Sequence, residues 1–281
     1  MDAPSARRDA RLGTMPNPVD PAHHPALPGW VIARSSCPST NTWALDHLDE
    51  LRHGDCVWTE QQTAGRGRDG RTWRSPPGVL TASFIVDAGF PETPRHVPLT
   101  RLSLATGLAV IHAVSDFTDA SALRLKWPND VVVGNRKLAG ILCETRRSHG
   151  GRHAAVIGIG CNLAPRWDQD GASLPFAIGP EAPIGLDELA AELGVTATPI
   201  AFLIALRRYL LEAVGLLAAG TWDPLLSELR QRDALRGSLV RLETGTGLVT
   251  GTAQGFADDG ALLIENASGV RGYASGHIGR G

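Results

Sequence analysis

The segment Gly65-Arg66-Gly67-Arg68-Asp69-Gly70-Arg71 spells G-x-G-x-x-G, yet Ser75-Pro76-Pro77-Gly78 follows it and blocks the helix that a dinucleotide-binding loop must open. Proline has no amide hydrogen and clashes with a preceding helical turn. The residue before it avoids the α region, and Gly78 adds flexibility. The glycine loop therefore has to join two strands. Cys56-Val57-Trp58-Thr59 before it and the run Leu80 to Val86 after it are rich in β-formers. What remains is a loop that offers backbone N–H groups together with the guanidinium forks of Arg66, Arg68 and Arg71, a combination suited to phosphate or carboxylate. Taken alone, the same loop also reads as a solvated turn with incidental arginines.

Around this loop the pattern mixes helix and strand periods. Trp30-Val31-Ile32 starts a strand, and a helix is expected from about Thr40 to Leu51 after Ser39. Residues 100–118 place Leu102, Ala105, Leu108 and Ala109 on one face behind a Thr100 cap, the spacing of a helix packed on a sheet. Strands are expected near 123–126, 130–133, 138–143 and 154–159, and helices near 186–193 and 198–218, the last with Phe202, Leu206, Leu210 and Val214 as core. After Arg236-Gly237 the period changes to two, in Leu239–Leu242, Leu248–Gln254, Ala261–Glu265 and Val270–Tyr273, with Asp259-Gly260 as a hairpin turn. The fold class is α+β: a mixed β-sheet flanked by helices over residues 30–225 and a small β-barrel over 235–281. Residues 1–29, with prolines at 4, 16, 18, 21, 25 and 28, hold too little apolar surface to offset ordering entropy and read as a disordered tail. His23 and His24 within it read as a solvated pair before a metal site.

Composition narrows the class further. A chain of 281 residues, 43% of them hydrophobic, can build a catalytic domain and a smaller second one. Lys plus Arg total 27 against 29 Asp plus Glu, so no global charge favours nucleic acid and any anion site is local. Cys37, Cys56, Cys143 and Cys161 form no zinc-spaced group and read as reduced, mostly buried thiols. No apolar run reaches the roughly 20 residues of a membrane span, and the N-terminus lacks a signal-peptide pattern, so the cytoplasm is the expected location.

Two further motifs carry chemistry. Lys126-Trp127-Pro128-Asn129-Asp130 is followed by Lys137 and then Leu138-Ala139-Gly140-Ile141-Leu142, which puts two lysines and a carboxylate on one hairpin. A carboxylate near phosphates can hold Mg²⁺, and a lysine is a compact charge for a developing oxyanion; singly, each is more often an ordinary surface charge. Gly158-Ile159-Gly160-Cys161-Asn162 ends a hydrophobic strand with small residues that allow close ligand approach, or alternatively form a glycine bulge.

These segments in this order, with Ser39-Thr40-Asn41 and Glu60-Gln61-Gln62-Thr63-Ala64 upstream, resemble the catalytic domain of biotin protein ligases over about residues 30–225. The stretch from about 235 is similar to that family's small SH3-like barrel. The resemblance implies a class II synthetase-like catalytic domain that uses ATP to activate biotin as biotinyl-adenylate, releases pyrophosphate, and passes biotin to a lysine of a biotin carboxyl carrier domain of acetyl-CoA carboxylase or another biotin-dependent carboxylase. It implies that Ser39, Thr40 and Gln62 hydrogen-bond the ureido ring and that backbone N–H groups of Arg66 to Arg68 border the same pocket. Arg68, Arg71 and Lys137 would neutralise carboxylate and phosphates, Trp73 would pack near adenine, and Lys126 would support the charge network. Asn129, Asp130 and Asn162 would complete the nucleotide and Mg²⁺ site, with Asp130 as the metal carboxylate. Asn41, Gly65, Gly67, Gly140 and Gly160 complete the carried-over substrate positions.

Some relatives of this kind carry an N-terminal DNA-binding segment. The proline-rich stretch before Trp30 offers no counterpart, so a monofunctional enzyme without DNA or membrane partners is expected, with a homodimer left open. Cys161 stands where the family more often has an aliphatic residue, which raises pocket reactivity against the plainer reading of a buried small hydrophobe. A lipoate protein ligase is the nearest alternative and a non-catalytic biotin sensor another. Because an adenylate hydrolyses in water, the Arg/Gly loop is expected to close over bound ligand.

Overall fold

The computed structural model describes residues 27–87, 97–167, 182–191 and 197–279. The tail expected over 1–29, His23 and His24 included, lies almost wholly outside them. In chain order the elements are β1 (Val31–Cys37), α1 (Thr40–Asp46), β2 (Cys56–Gln62), β3 (Val79–Asp87), α2 (Leu99–Ser115), β4 (Arg124–Lys126), β5 (Asp130–Val133), β6 (Arg136–Arg147) and β7 (His153–Asn162). Helices α3 (Leu186–Leu189), α4 (Pro199–Ala218) and α5 (Asp223–Gln231) follow, then strands β8 (Leu239–Thr244), β9 (Gly247–Phe256), β10 (Leu262–Asn266), β11 (Gly269–Tyr273) and β12 (His277–Gly279). The described residues divide into two compact units, 27–87 with 142–167, and 97–141 with 182–191 and 197–279.

In the first unit β1 runs parallel to β2, while β2–β3 and β3–β7 are antiparallel, the last pairing running from Val79↔Asn162 to Asp87↔Ala154. The sheet is mixed because α1 carries the chain from β1 back to the start of β2, whereas loops reverse it afterwards. The outer half of β6 meets β7 through a turn in which Ser148 N–H donates to Arg152 O at 2.8 Å. Ala44, Leu45, Leu48 and Leu51 pack on Val57, Ile85, Ala154 and Val156, so the α1 segment covers one face of this sheet.

Helix α1 stops at Asp46, short of the expected Leu51. Leu48 and Leu51 stay buried at 2% and 1% exposure, but the Arg152 guanidinium, not helical N–H groups, takes the Leu48 and Leu51 carbonyls, at 3.0 and 2.6 Å. Apolar spacing reports which side chains are buried; it does not report which donor satisfies the backbone.

In the second unit β4, β5 and the first half of β6 form antiparallel pairs, and α2 packs on α4. Helix α2 begins at Leu99 with Pro98 as its cap residue. The expected Thr100 cap is therefore corrected: the hydroxyl donates to Ala274 O at 2.9 Å, tying the first helical turn to the C-terminal sheet. That sheet is five-stranded and antiparallel in the order β11-β10-β9-β8-β12, and Gly260 supplies the positive φ of 85° at the expected Asp259-Gly260 turn. Helix α5 and strand β12 were not expected. Pro224 in the first turn and the buried Leu225, Leu226 and Leu229 are the signals for α5. The helix expected over 186–193 is a single turn at Leu186–Leu189, and residues 192–193 lie outside the described part.

No helix among the described residues is long and apolar enough to cross a membrane.

Candidate active site

In the first unit the glycine loop closes on itself. Gly67 N–H donates to Arg71 O at 2.7 Å, Arg71 N–H to Arg68 O at 3.1 Å and Trp73 N–H to Gly65 O at 2.9 Å. A Cβ on Gly65 would stand 2.3 Å from the Trp73 carbonyl and 2.8 Å from Gln62 Nε2, so only glycine lets the loop pass this close to the glutamine. At the end of β7, a Cβ on Gly160 would stand 2.2 Å from the Trp73 indole and one on Gly158 would stand 2.3 Å from Asn41 Oδ1. The two glycines thus seat a tryptophan and an asparagine flat against the strand. A bulge is not needed to explain them, since β7 pairs with β3 without a break through this stretch.

The polar side chains of α1 and β2 form a continuous chain with two residues that the sequence reading missed, Ser83 and Glu144. Gln62 Oε1 accepts from Thr40 N–H at 2.9 Å and lies 3.2 Å from Thr40 Oγ1. Ser83 Oγ lies 2.7 Å from Thr40 Oγ1 and 2.6 Å from Asn41 Oδ1. Asn41 Nδ2 donates to Leu142 O at 3.1 Å and to Glu144 Oε2 at 2.9 Å. Ser39 caps α1, its Oγ accepting from Thr42 N–H at 3.5 Å. Ser39, Thr40 and Asn41 are each 3% exposed and Ser83 is buried, so the inner part of the arrangement is made of desolvated groups that already have partners, while Gln62 and Glu144 at its ends are partly exposed. Ser83 hides in a run of β-formers and Glu144 in an alternating strand where it reads as a surface charge.

Arg66 was grouped with Arg68 and Arg71 as an anion fork, and the structure corrects this. Its guanidinium binds Glu144 at 2.8 and 3.2 Å and Thr42 Oγ1 at 3.2 Å. Arg68 opens the one-turn segment Arg68–Gly70 and Arg71 follows it, with Asp69 between them at φ 54°. Asn162 is 2% exposed at the end of β7. Cys161 beside it is fully buried, and burial pushes its thiol up to about 12, so it packs as a small hydrophobe.

The remaining predicted residues lie in the second unit. Register places Lys126 opposite Asp130 and Asp130 opposite Gly140. Lys137 Nζ meets Asp130 Oδ1 at 2.7 Å. Asn129 Nδ2 donates to Ile141 O at 2.8 Å while its carbonyl accepts from Ile141 N–H at 2.9 Å, so its side chain braces the hairpin. Trp127 is 1% exposed and its indole N–H donates to Gly260 O at 3.2 Å. Among the described residues no three His, Cys, Asp or Glu side chains gather as a metal site.

Comparison with known proteins decides the family. Residues 31–162 match the model of the Biotin/lipoate A/B protein ligase family and residues 237–278 that of the Biotin protein ligase C terminal domain. The biotin–[acetyl-CoA-carboxylase] ligase of Paracoccus denitrificans is 32% identical over 242 residues, covering 85% of this chain and 95% of that protein. The chain belongs to the biotin protein ligase family. The bifunctional ligase/repressor BirA of Salmonella typhimurium is 31% identical over 275 residues, 94% of this chain and 80% of its own length. Among solved structures, the Aquifex aeolicus biotin protein ligase in complex with biotin and ATP superposes with a TM-score of 0.73 at 25% identity, over 89% of this chain and 97% of that one. The two-part expectation for a biotin protein ligase, a mixed sheet flanked by helices plus a C-terminal antiparallel sheet, is thereby met.

Proposed function

We propose that this chain is an ATP-dependent biotin–protein ligase. The observation that carries the reading is the polar chain Gln62–Thr40–Ser83–Asn41, buried from Thr40 inward, beside a glycine-lined wall, within a chain 32% identical to a biotin–[acetyl-CoA-carboxylase] ligase along nearly all of that enzyme. An otherwise apolar ligand is recognised by a few fixed polar atoms, and these suit a cyclic urea.

At neutral pH biotin's carboxylate is a poor electrophile, so one of its oxygens attacks the α-phosphorus of ATP and pyrophosphate leaves. The lysine amine of the acceptor then attacks the carbonyl of the mixed anhydride, AMP departs with the bonding pair, and the amine loses a proton. No protein nucleophile is needed, and the work falls to positioning and charge stabilisation. Arg68, Arg71 and Lys137 supply that charge in this reading, Lys126 supports it, and Trp73, Asn129, Gly140 and Asn162 take part in nucleotide binding. Mg²⁺ fits only in company with the nucleotide. Asp130 offers one carboxylate already facing Lys137, and Mg²⁺ is commonly held by one or two carboxylates plus substrate phosphates. When bound it neutralises phosphate charge. The acceptor in this reading is a biotin carrier domain of a carboxylase, as the names of the Paracoccus and Mycobacterium tuberculosis relatives suggest.

Pyrophosphate release with Mg·ATP and biotin tests the proposal, with lipoate and an Arg68→Ala variant run beside it. Biotin-dependent release, cut about 100-fold or more in the variant, is expected for a residue that stabilises developing charge. Release with lipoate alone would reassign the chain to the lipoate branch. Binding of biotin without release would make it a sensor. Closure of the loop is checked by limited proteolysis within 65–78, where biotin and ATP together should slow cutting.

A further inference from the structure

Three donors converge on Glu144 from two different segments. Two belong to Arg66 of the glycine loop and the third is Asn41 Nδ2 of α1. A carboxylate only accepts, and so does the Leu142 carbonyl, the other partner of Asn41 Nδ2 at 3.1 Å. Together they fix which end of the Asn41 amide points where: nitrogen toward Glu144, oxygen toward Ser83. Because an amide oxygen cannot donate, the Ser83 hydroxyl proton must go to Asn41 Oδ1 at 2.6 Å. Ser83 Oγ is then an acceptor toward Thr40, whose single hydroxyl proton has two acceptors in reach, Ser83 Oγ at 2.7 Å and Gln62 Oε1 at 3.2 Å; the shorter contact, which would otherwise set two oxygens together without a proton, takes it. That leaves Thr40 Oγ1 with lone pairs toward a ligand. Gln62, whose Oε1 is occupied by Thr40 N–H at 2.9 Å, turns its Nε2 toward Gly65 as a donor.

We infer that Glu144 is a positioning residue that sets the hydrogen-bond polarity of the pocket, through Asn41, Ser83 and Thr40, so that it presents an acceptor beside a donor. That order is complementary to the N–H and C=O that neighbour one another on the edge of a cyclic urea, and opposed to a ligand whose carbonyl is replaced by a donor. The inference rests on the ligase reading for the identity of the ligand. The same carboxylate clamps Arg66, so the loop's first arginine is held with the pocket wall while Arg68 and Arg71 are left for substrate charge. Glu144 is one-quarter exposed on its side chain, and Ser83 and Thr40 are buried, so water competes least at the inner end of the relay.

The test is steady-state pyrophosphate release with biotin and with 2-iminobiotin, whose ring carbonyl is replaced by a protonated imine at neutral pH. It is run on the wild type, Glu144→Gln and Ser83→Ala. Glutamine keeps the shape but can donate as well as accept, so the relay loses its fixed direction; alanine at 83 cuts the relay and leaves Glu144 in place. Both variants should raise the KM for biotin about tenfold, the size of one lost hydrogen bond of this kind. The KM for ATP should hold, and the preference for biotin over 2-iminobiotin should narrow. A structural defect alone would lower kcat or raise both KM values without narrowing the preference. An unchanged preference in both variants would overturn the inference while leaving biotin-dependent release by the wild type, and hence the ligase reading, intact. Absence of that wild-type release would remove the reading itself.

Discussion

Of the four ion pairs among the described residues with a member on strand β6, those of Glu144 and Lys137 are built differently. Glu144, toward its end, is gripped by the Arg66 fork and the Asn41 amide, so that each of its oxygens has a fixed donor. Lys137, near its start, meets Asp130 at 2.7 Å with 36% of the lysine side chain and 25% of the aspartate still exposed. A guanidinium fork fixes angles as well as distance. An ammonium is a point charge that turns freely among acceptors. The first pair is suited to building a wall; the second has the freedom that the proposed role of Lys137, exchanging one anion for another on phosphate binding, requires. Motif spelling alone, an acid and a base near a glycine loop, does not separate the two.

The sharpest way to break this comparison is to remove Lys137. If its charge serves the reaction, Lys137→Ala should lower the rate of adenylate formation about 100-fold or more. Stability should change by about 1 kcal/mol or less, because a partly exposed ion pair contributes little. Single-turnover formation of adenylate, read beside a urea melt, checks both. A variant that melts early but keeps its rate would make the pair structural.

The next effect in size is expected at Gly158. A Cβ there would come within 2.3 Å of Asn41 Oδ1, and the strand pairing on both sides of β7 leaves little room to yield. Gly158→Ala should displace the Asn41 amide, raise the KM for biotin about tenfold and cost about 1–3 kcal/mol of stability. Isothermal titration with biotin and the nucleotide separately would sharpen the point, since only biotin binding is expected to weaken. Equal losses for both ligands would show that Asn41 is a packing residue with no separate part in the pocket.

How much of this was legible beforehand follows from what each signal measures. The prolines after Gly70 told that the glycine loop joins strands, because their constraint is covalent and local. The period change after Arg236 marked the C-terminal sheet because alternation is set by burial on one face. Helix α1 was drawn too long for the same reason: Leu48 and Leu51 keep their burial after the helical hydrogen bonds end. Ser83 and Glu144 escaped because their meaning lies in partners more than forty positions away, Asn41 and Thr40 for one and Asn41 and Arg66 for the other. Arg66 was misgrouped for the complementary reason. Three arginines in one loop read alike until one of them finds a carboxylate on another strand.

A third carboxylate, in the second unit, gives the smallest expected effect and the cleanest control. Glu228 on α5 receives His112 Nε2 from α2 at 3.0 Å and Arg232 Nε at 2.8 Å, while Arg232 Nη1 also reaches Ala120 O at 3.3 Å. This network closes between helices and, unlike that of Glu144, leads to none of the positions assigned to substrate. The His112 hydrogen bond, opposed in part by desolvation and aided by Arg232, holds the Glu228 carboxyl at about 2, below its ordinary 4.5. A depressed acid stabilises the fold when ionised, so its contribution is complete above about pH 4.5 and is lost as pH falls toward 2. Glu228→Gln should therefore cost about 1–2 kcal/mol at neutral pH, after allowance for partial exposure. The gap between wild type and variant should close between pH 4.5 and 2, with the KM for biotin and the preference over 2-iminobiotin untouched. Urea melts across that range read the first expectation and steady-state kinetics at pH 7 the second. A change in ligand preference on losing Glu228 would mean that any broken carboxylate network loosens the pocket, and the directional role given to Glu144 would lose its distinction.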